Sequence, residues 1–120
     1  MPHAARQHDQ EMRQCTEECL SCYASCLETV QHCLSLGGRH AEQAHIALLI
    51  TCARICETSA SAMLLGSQQH TETCRACATI CRACAEHCRR MADGDETMRR
   101  CAEVCERCAE SCERMAGAAA

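Results

Sequence analysis

The segment Cys74–Met91 reads CRACATICRACAEHCRRM and places cysteine at 74, 77, 81, 84 and 88, at intervals of three and four residues. An α-helix turns about 100° per residue, so these intervals hold every sulfur on one narrow stripe. Alternating three and four is also the a/d seam by which a helix packs lengthwise against others. Such a seam ordinarily carries Leu, Ile or Val; here it carries thiols. The same device recurs along the rest of the chain.

A first helix is predicted over about residues 9–36, after a loose tail at 1–8, with a stripe of Met12, Cys15, Cys19, Cys22, Cys26, Thr29 and Cys33. Gly37-Gly38 stops it, as glycine does past a helix C-terminus. A second helix, about 39–65, carries His45, Leu49, Cys52, Cys56, Ser59 and Met63 on its seam and ends at Gly66, with Ser67 placed to cap the next. The third, about 68–91, carries His70 ahead of the five cysteines and Met91 after them. Asp93 and Glu96 have capping-box spacing before a fourth helix, about 95–116, whose seam is Met98, Cys101, Cys105, Cys108, Cys112 and Met115. The terminal GAAA is expected to fray.

Long helices joined by short turns imply an all-α fold, an antiparallel up-down-up-down four-helix bundle with a cysteine-lined core. A chain of 120 residues suffices for one such domain, residues 1–120, and not for two. The outer faces read as solvated, with Glu103 and Arg107, and Glu110 and Arg114, at favourable i,i+4 spacing. Helix 2 has a second apolar edge, Ile46, Ile50 and Ala53, which either packs on helix 1 or 3 or meets another subunit.

The chain holds 16 Cys and 20 Ala, no Phe or Trp, and Tyr23 as its one aromatic residue, so sulfur must fill much of the core. That cysteine content exceeds the level, about 8–10%, that marks a disulfide scaffold or a metal site. The first residues, MPHAARQHDQEMRQC, show no apolar leader core, cleavage site or twin arginine. The longest apolar cluster, around Ile46–Ile50, falls short of transmembrane length. A cytoplasmic protein with reduced thiols and no membrane is therefore expected, a setting in which cysteine-rich patterns are more often metal sites. A net charge of −4 with mixed signs and no basic, aromatic-studded patch gives no reason to expect nucleic acid.

A core of plain thiols would invite cavities and oxidation. Cysteines three or four apart within one helix do not suit disulfide geometry, and only pairs across the bundle could form the bond. Thioredoxin-type chemistry needs one CxxC at a helix start beside a βαβ unit. Metal binding remains, and thiolate favours Cu(I), Zn(II) and iron–sulfur clusters. Clusters are usually wrapped by loops. Four all-thiolate zinc sites would put about eight negative charges along a dry axis with no internal Lys or Arg to offset them. Each Cu(I) that displaces one thiol proton leaves the charge of the core unchanged, and sulfurs can bridge. Multiple Cu(I) ions are thus preferred, held by Cys15, Cys19, Cys22, Cys26, Cys33, Cys52, Cys56, Cys74, Cys77, Cys81, Cys84, Cys88, Cys101, Cys105, Cys108 and Cys112. A zinc-stabilised structural or interaction bundle is the alternative. No phosphate loop or nucleophile–base pair stands apart from the seams, so an enzyme is not expected.

The CxxxC and CxxC seams on four consecutive helices, Cys15-Cys19-Cys22-Cys26, Cys52-Cys56, Cys74 to Cys88 and Cys101 to Cys112, resemble those of bacterial cytosolic copper storage proteins. That resemblance implies a four-helix bundle storing many Cu(I) ions, a homotetramer, a cytosolic location and copper uptake at one end of the bundle. Where some relatives carry histidines between helices 3 and 4, this chain has MADGDETM. In an up-down bundle one end gathers Cys33, His45, Cys88, Met91 and Met98, with His32, His40 and His87 nearby, and the other gathers Met12, Met63, His70 and Met115. Imidazole and thioether are weaker Cu(I) ligands than thiolate and suit passing ions inward. His45, Met91, Met98 and His70 are the candidate uptake ligands, with the His45 end as mouth and the methionine end as plug.

Overall fold

The computed structural model describes residues 2–117, with side chains from Arg6 onward. Four helices, α1 (Pro2–Leu36), α2 (Gln43–Leu64), α3 (His70–Ala92) and α4 (Glu96–Gly117), run antiparallel; a 3-10 turn, Gly38–Ala41, leads into α2. Each packs on its two neighbours in the order α1, α2, α3, α4 and back to α1, α3 lying against α4 most extensively. The result is a rod of 54 × 22 × 20 Å. Its length matches that of α1, about 52 Å for 35 residues at 1.5 Å each.

The a/d seams of all four helices turn inward. All sixteen cysteines have no exposed surface, and Leu49, Met98, Met115, His45 and Thr29 are the largest side chains buried with them. A second stripe, which the periodicity of the thiols obscures, follows one position behind. Ala53 and Ala60 on α2, Ala78 and Ala85 on α3, and Ala102, Ala109 and Ala116 on α4 recur every seven residues and are buried. Small side chains there bring the helix axes closer, because the spacing of packed helices follows the size of the residues at the contact. Sulfurs from opposite helices can then meet across the axis.

Several local expectations are corrected. Helix α1 starts at Pro2 and not near residue 9: Ala, Arg and Gln follow without a breaker, and proline suits a first helical turn. Met1 and Ala118–Ala120, including the expected fraying of the tail, lie outside the described residues. Residues 39–41 form the 3-10 turn, so α2 begins at Gln43. Gly37, at φ 72° and ψ −163°, takes a positive-φ extended conformation open to glycine, and α1 ends there. Ser67 Oγ accepts from the Gln69 N–H at 3.1 Å, one turn before α3 proper. Between α3 and α4 the cap is Asp95, whose Oδ1 accepts from the Met98 N–H at 2.9 Å. Asp93 instead ends α3 in the left-handed region at φ 42°, which removes it from the capping box.

The outer arginines also choose other partners. Arg107 reaches Glu18 at 3.8 Å and Arg114 reaches Glu11 at 4.0 Å, both across to α1, while Glu103 pairs with Arg99 at 3.5 Å. Arg82 holds Glu113 through two bonds of 3.0 and 2.7 Å. Arg107–Glu18, Arg114–Glu11 and Arg82–Glu113 link neighbouring helices, whereas Arg99–Glu103 lies within α4; solvent screening keeps the contribution of such surface pairs small. On the apolar edge of α2, Ala53 is fully buried, Ile46 half-buried and Ile50 exposed. By length and composition α2 is apolar enough to cross a membrane, contrary to the expectation from its short isoleucine cluster, because its cysteines and alanines add to the apolar count. In the bundle its His45, Leu49, Cys52, Cys56, Ser59 and Met63 are buried.

Two outcomes follow from this architecture. Reduced, metal-free protein should give a helical far-ultraviolet circular dichroism spectrum, since the helices are long and Ala-rich and protonated thiols form an adequate core. A coil spectrum that turns helical only with metal would mean the ions build the fold. Asp95→Ala should destabilise the bundle by about 1 kcal/mol, lowering the melting temperature by a few degrees, because the Met98 N–H loses its cap.

Candidate metal centre

The antiparallel arrangement sets thiols from α1, α2, α3 and α4 at matching heights along the axis. Ordered from the methionine end, Cys15, Cys74 and Cys112 form a first group, followed by Cys19, Cys77, Cys108 and Cys112. Then come Cys56, Cys77, Cys81 and Cys108; Cys22, Cys52, Cys56 and Cys81; and Cys22, Cys26, Cys52 and Cys105. In every group the sulfurs lie within 4.8 Å of one another, and each group shares members with the next. The closest approaches are uniform: Cys15–Cys112, Cys19–Cys112, Cys22–Cys105, Cys52–Cys81 and Cys56–Cys81 are all 3.6 Å. No cysteine among the described residues is bonded to another.

Shared membership makes this a continuous file and not a set of separate sites. Burial pushes these thiols up, while hydrogen bonding between sulfurs moves neighbours in opposite directions. Cys52 is held well down by hydrogen bonds with Cys105, Cys22 and Cys26. Cys105 is pushed well up by Cys101, Cys22 and Cys26, and Cys81 by Cys108, Cys22 and Cys52. Cys84 is held at about 7 by Cys105 and Cys26. Thiols placed this way suit soft monovalent ions: a thiolate that its neighbours stabilise by donating S–H bonds is equally stabilised by a cation in the proton's place.

The family profile described as copper storage protein matches residues 8–117. The chain belongs to the copper storage protein family. Among solved structures, a Nitrosospira multiformis protein is 42% identical over 92% of this chain and 98% of its own, with a TM-score of 0.86. The Cu(I)-bound copper storage protein 3 of Bacillus subtilis is 33% identical over 88% and 98%, with a TM-score of 0.82. A cytosolic copper storage protein of Streptomyces lividans, studied during copper loading, is 28% identical over 92% and 95%, with a TM-score of 0.79. No curated protein sequence matches the chain.

In this copper storage family member the predicted end residues separate into distinct positions. At the His45 end, Cys33, Cys84, Cys88 and Cys101 stand outside the shared groups, and the Cys33 sulfur is 3.3 Å from His45 Nε2. Burial, together with Asp95 and Cys101, pushes the Cys33 thiol up to about 11. The His45 ring lies 4.9 Å from that of His87, and both line a cleft of about 520 Å³ with Met91, Arg39, Glu42, Ala44 and Arg90. Burial, then His87 and His40, lowers the basicity of His45; burial and Arg90 do the same for His87. Both shifts favour the neutral imidazole, the form that binds a metal. His45 Nδ1 and His87 Nε2 are buried without partners.

Met98 is fully buried and does not line the cleft. His32 instead donates from Nε2 to Asp95 at 2.7 Å, tying the end of α1 to the start of α4. Partial burial pushes the Asp95 carboxyl up, but the bonds from His32 and the Met98 N–H outweigh it and hold it below the usual carboxylate range. His87 joins His45 in this cleft. It sits one position off the seam, beside Cys88, and only the pairing with His45 brings it into the cleft. His70 and Met63 lie at the opposite end, where Met63 Sδ is 3.9 Å from Cys74 Sγ.

Proposed function

We propose that this chain is a cytosolic reservoir for Cu(I), loading about one ion per thiol, with all sixteen seam cysteines as ligands. The overlap of the sulfur groups carries the reading. Cys22, Cys52, Cys56, Cys77, Cys81, Cys108 and Cys112 each belong to two groups, so neighbouring ions must share thiolates. Bridged two- and three-coordinate Cu(I) meets that condition, and one proton lost per ion keeps the dry core neutral. A column of independent tetrahedral zinc sites does not meet it, although each group alone has spacing suited to zinc. The Cu(I)-bound relative from Bacillus subtilis supports the same assignment. Titration of reduced protein with Cu(I) should show thiolate-to-copper charge transfer rising linearly to about sixteen equivalents; a break at one to four would oppose storage.

Uptake is assigned to the cleft lined by His45, His87 and Met91, whose His45 Nε2 lies 3.3 Å from Cys33 Sγ at the near end of the bundle. Neutral ligands pass an ion inward without holding it, since they cannot balance its charge as thiolate does. His45→Ala with Met91→Leu and Met98→Leu should slow loading from a Cu(I) chelator severalfold while leaving the final copper number near that of the parent. Met12, Met63 and Met115 changed to Leu should alter the loading rate much less. Stopped-flow transfer compares the two; the reverse order would move the mouth to the other end.

A further inference from the structure

Resting on the storage reading, we propose that Met63 is a coordinating plug: the fourth, uncharged ligand to a Cu(I) held by Cys15, Cys74 and Cys112. The seam of α2 explains why such a ligand is needed. After Cys52 and Cys56 it continues with Ser59 and Met63, so α2 supplies no thiol to the two groups nearest that end. Ser59 falls between Cys56 and Met63 on this seam, fully buried, its hydroxyl without a partner. An alcohol is a poor ligand for Cu(I), whereas thioether is a soft donor that Cu(I) accepts.

Met63 Sδ lies 3.9 Å from Cys74 Sγ, a separation within the range found between thiols along the file, and Met63 is almost fully buried. The Cys74 S–H donates to Met63 Sδ in the metal-free chain, and a copper ion that displaces that proton frees the thioether lone pair. The one hydroxyl near it, Thr16 Oγ1 at 3.7 Å, has a single proton, and the Met12 carbonyl 2.8 Å away takes it. One turn outward on α3, His70 follows the pattern of a second donor. Its Nδ1 is 2.8 Å from the Ser67 carbonyl, which can only accept, so the proton is on Nδ1 and the buried Nε2 keeps an unpartnered lone pair. His70 and Cys74 are four residues apart and so share one face of α3. Thioether adds no negative charge to three thiolates and favours Cu(I) over Zn(II).

The test is selenium-edge X-ray absorption on copper-loaded protein grown with selenomethionine, with copper content measured on the same sample. A copper shell around selenium is expected in the parent and in Met12→Leu, and is expected to vanish in Met63→Leu, a swap that conserves core volume. No copper shell in the parent, or one that survives Met63→Leu, overturns the assignment. About sixteen coppers without that shell leaves the storage reading standing; few coppers with the shell present counts against storage alone.

Discussion

Replacing Cys81 and Cys105 together by serine should lower Cu(I) capacity by about two ions and leave the remainder bound. Both sit in the middle of the file. Cys81 lies 3.9 Å from Cys22, 3.6 Å from Cys52 and Cys56, and 3.7 Å from Cys77; Cys105 lies 3.6 Å from Cys22 and 3.9 Å from Cys26. A special central site would fail entirely when those positions lose their sulfurs. A distributed store loses only the charge-balancing thiolates that were removed, because neighbouring sulfurs can still bridge. The metal-free variant should also be less stable, by about 1–3 kcal/mol per site, since each buried hydroxyl meets only weak sulfur acceptors. Copper content after gel filtration and the thermal melt of the reduced apo form measure the two effects. Loss of all copper binding in a folded double variant would contradict the distributed store.

Zinc should fill the bundle far less than copper. Only two four-sulfur groups can be chosen that share no residue, for example Cys19, Cys77, Cys108 and Cys112 with Cys22, Cys52, Cys56 and Cys81. Each four-thiolate zinc carries a net double negative charge, and all twelve arginines, the chain's only permanent cations, lie outside the core. Zn(II) is therefore expected to saturate at about two tightly held ions and to be displaced by Cu(I). Competition under strict reduction, followed by elemental analysis, reads this directly. Zinc filling of four or more ions that resists Cu(I) would favour the structural-zinc alternative.

Much of this was legible in the chain because period survives translation into three dimensions. The a/d spacing placed even the non-thiol members inside: Thr29, Ser59 and His45 are buried as their seam positions require. Which sulfurs meet was not legible, since that depends on the relative heights of four helices, and spacing within one helix carries no information about height. The caps show a smaller version of the problem. Asp93 and Asp95 both suit a helix start by type, and the left-handed turn at Asp93 decides for Asp95. Arg107 and Arg114 had local glutamates available, but the packing of α1 against α4 brought Glu18 and Glu11 within reach instead. His87 was hidden by its place beside the stripe. Its place in the cleft depends on α2 presenting His45 at the same height.

Native mass spectrometry of protein loaded with excess Cu(I) under strict reduction counts both ions gained and protons lost in one spectrum. About sixteen copper ions per chain are expected, with about one proton displaced for each. A distribution that ends at four or fewer coppers, or ions that bind without displacing protons, would contradict the storage reading.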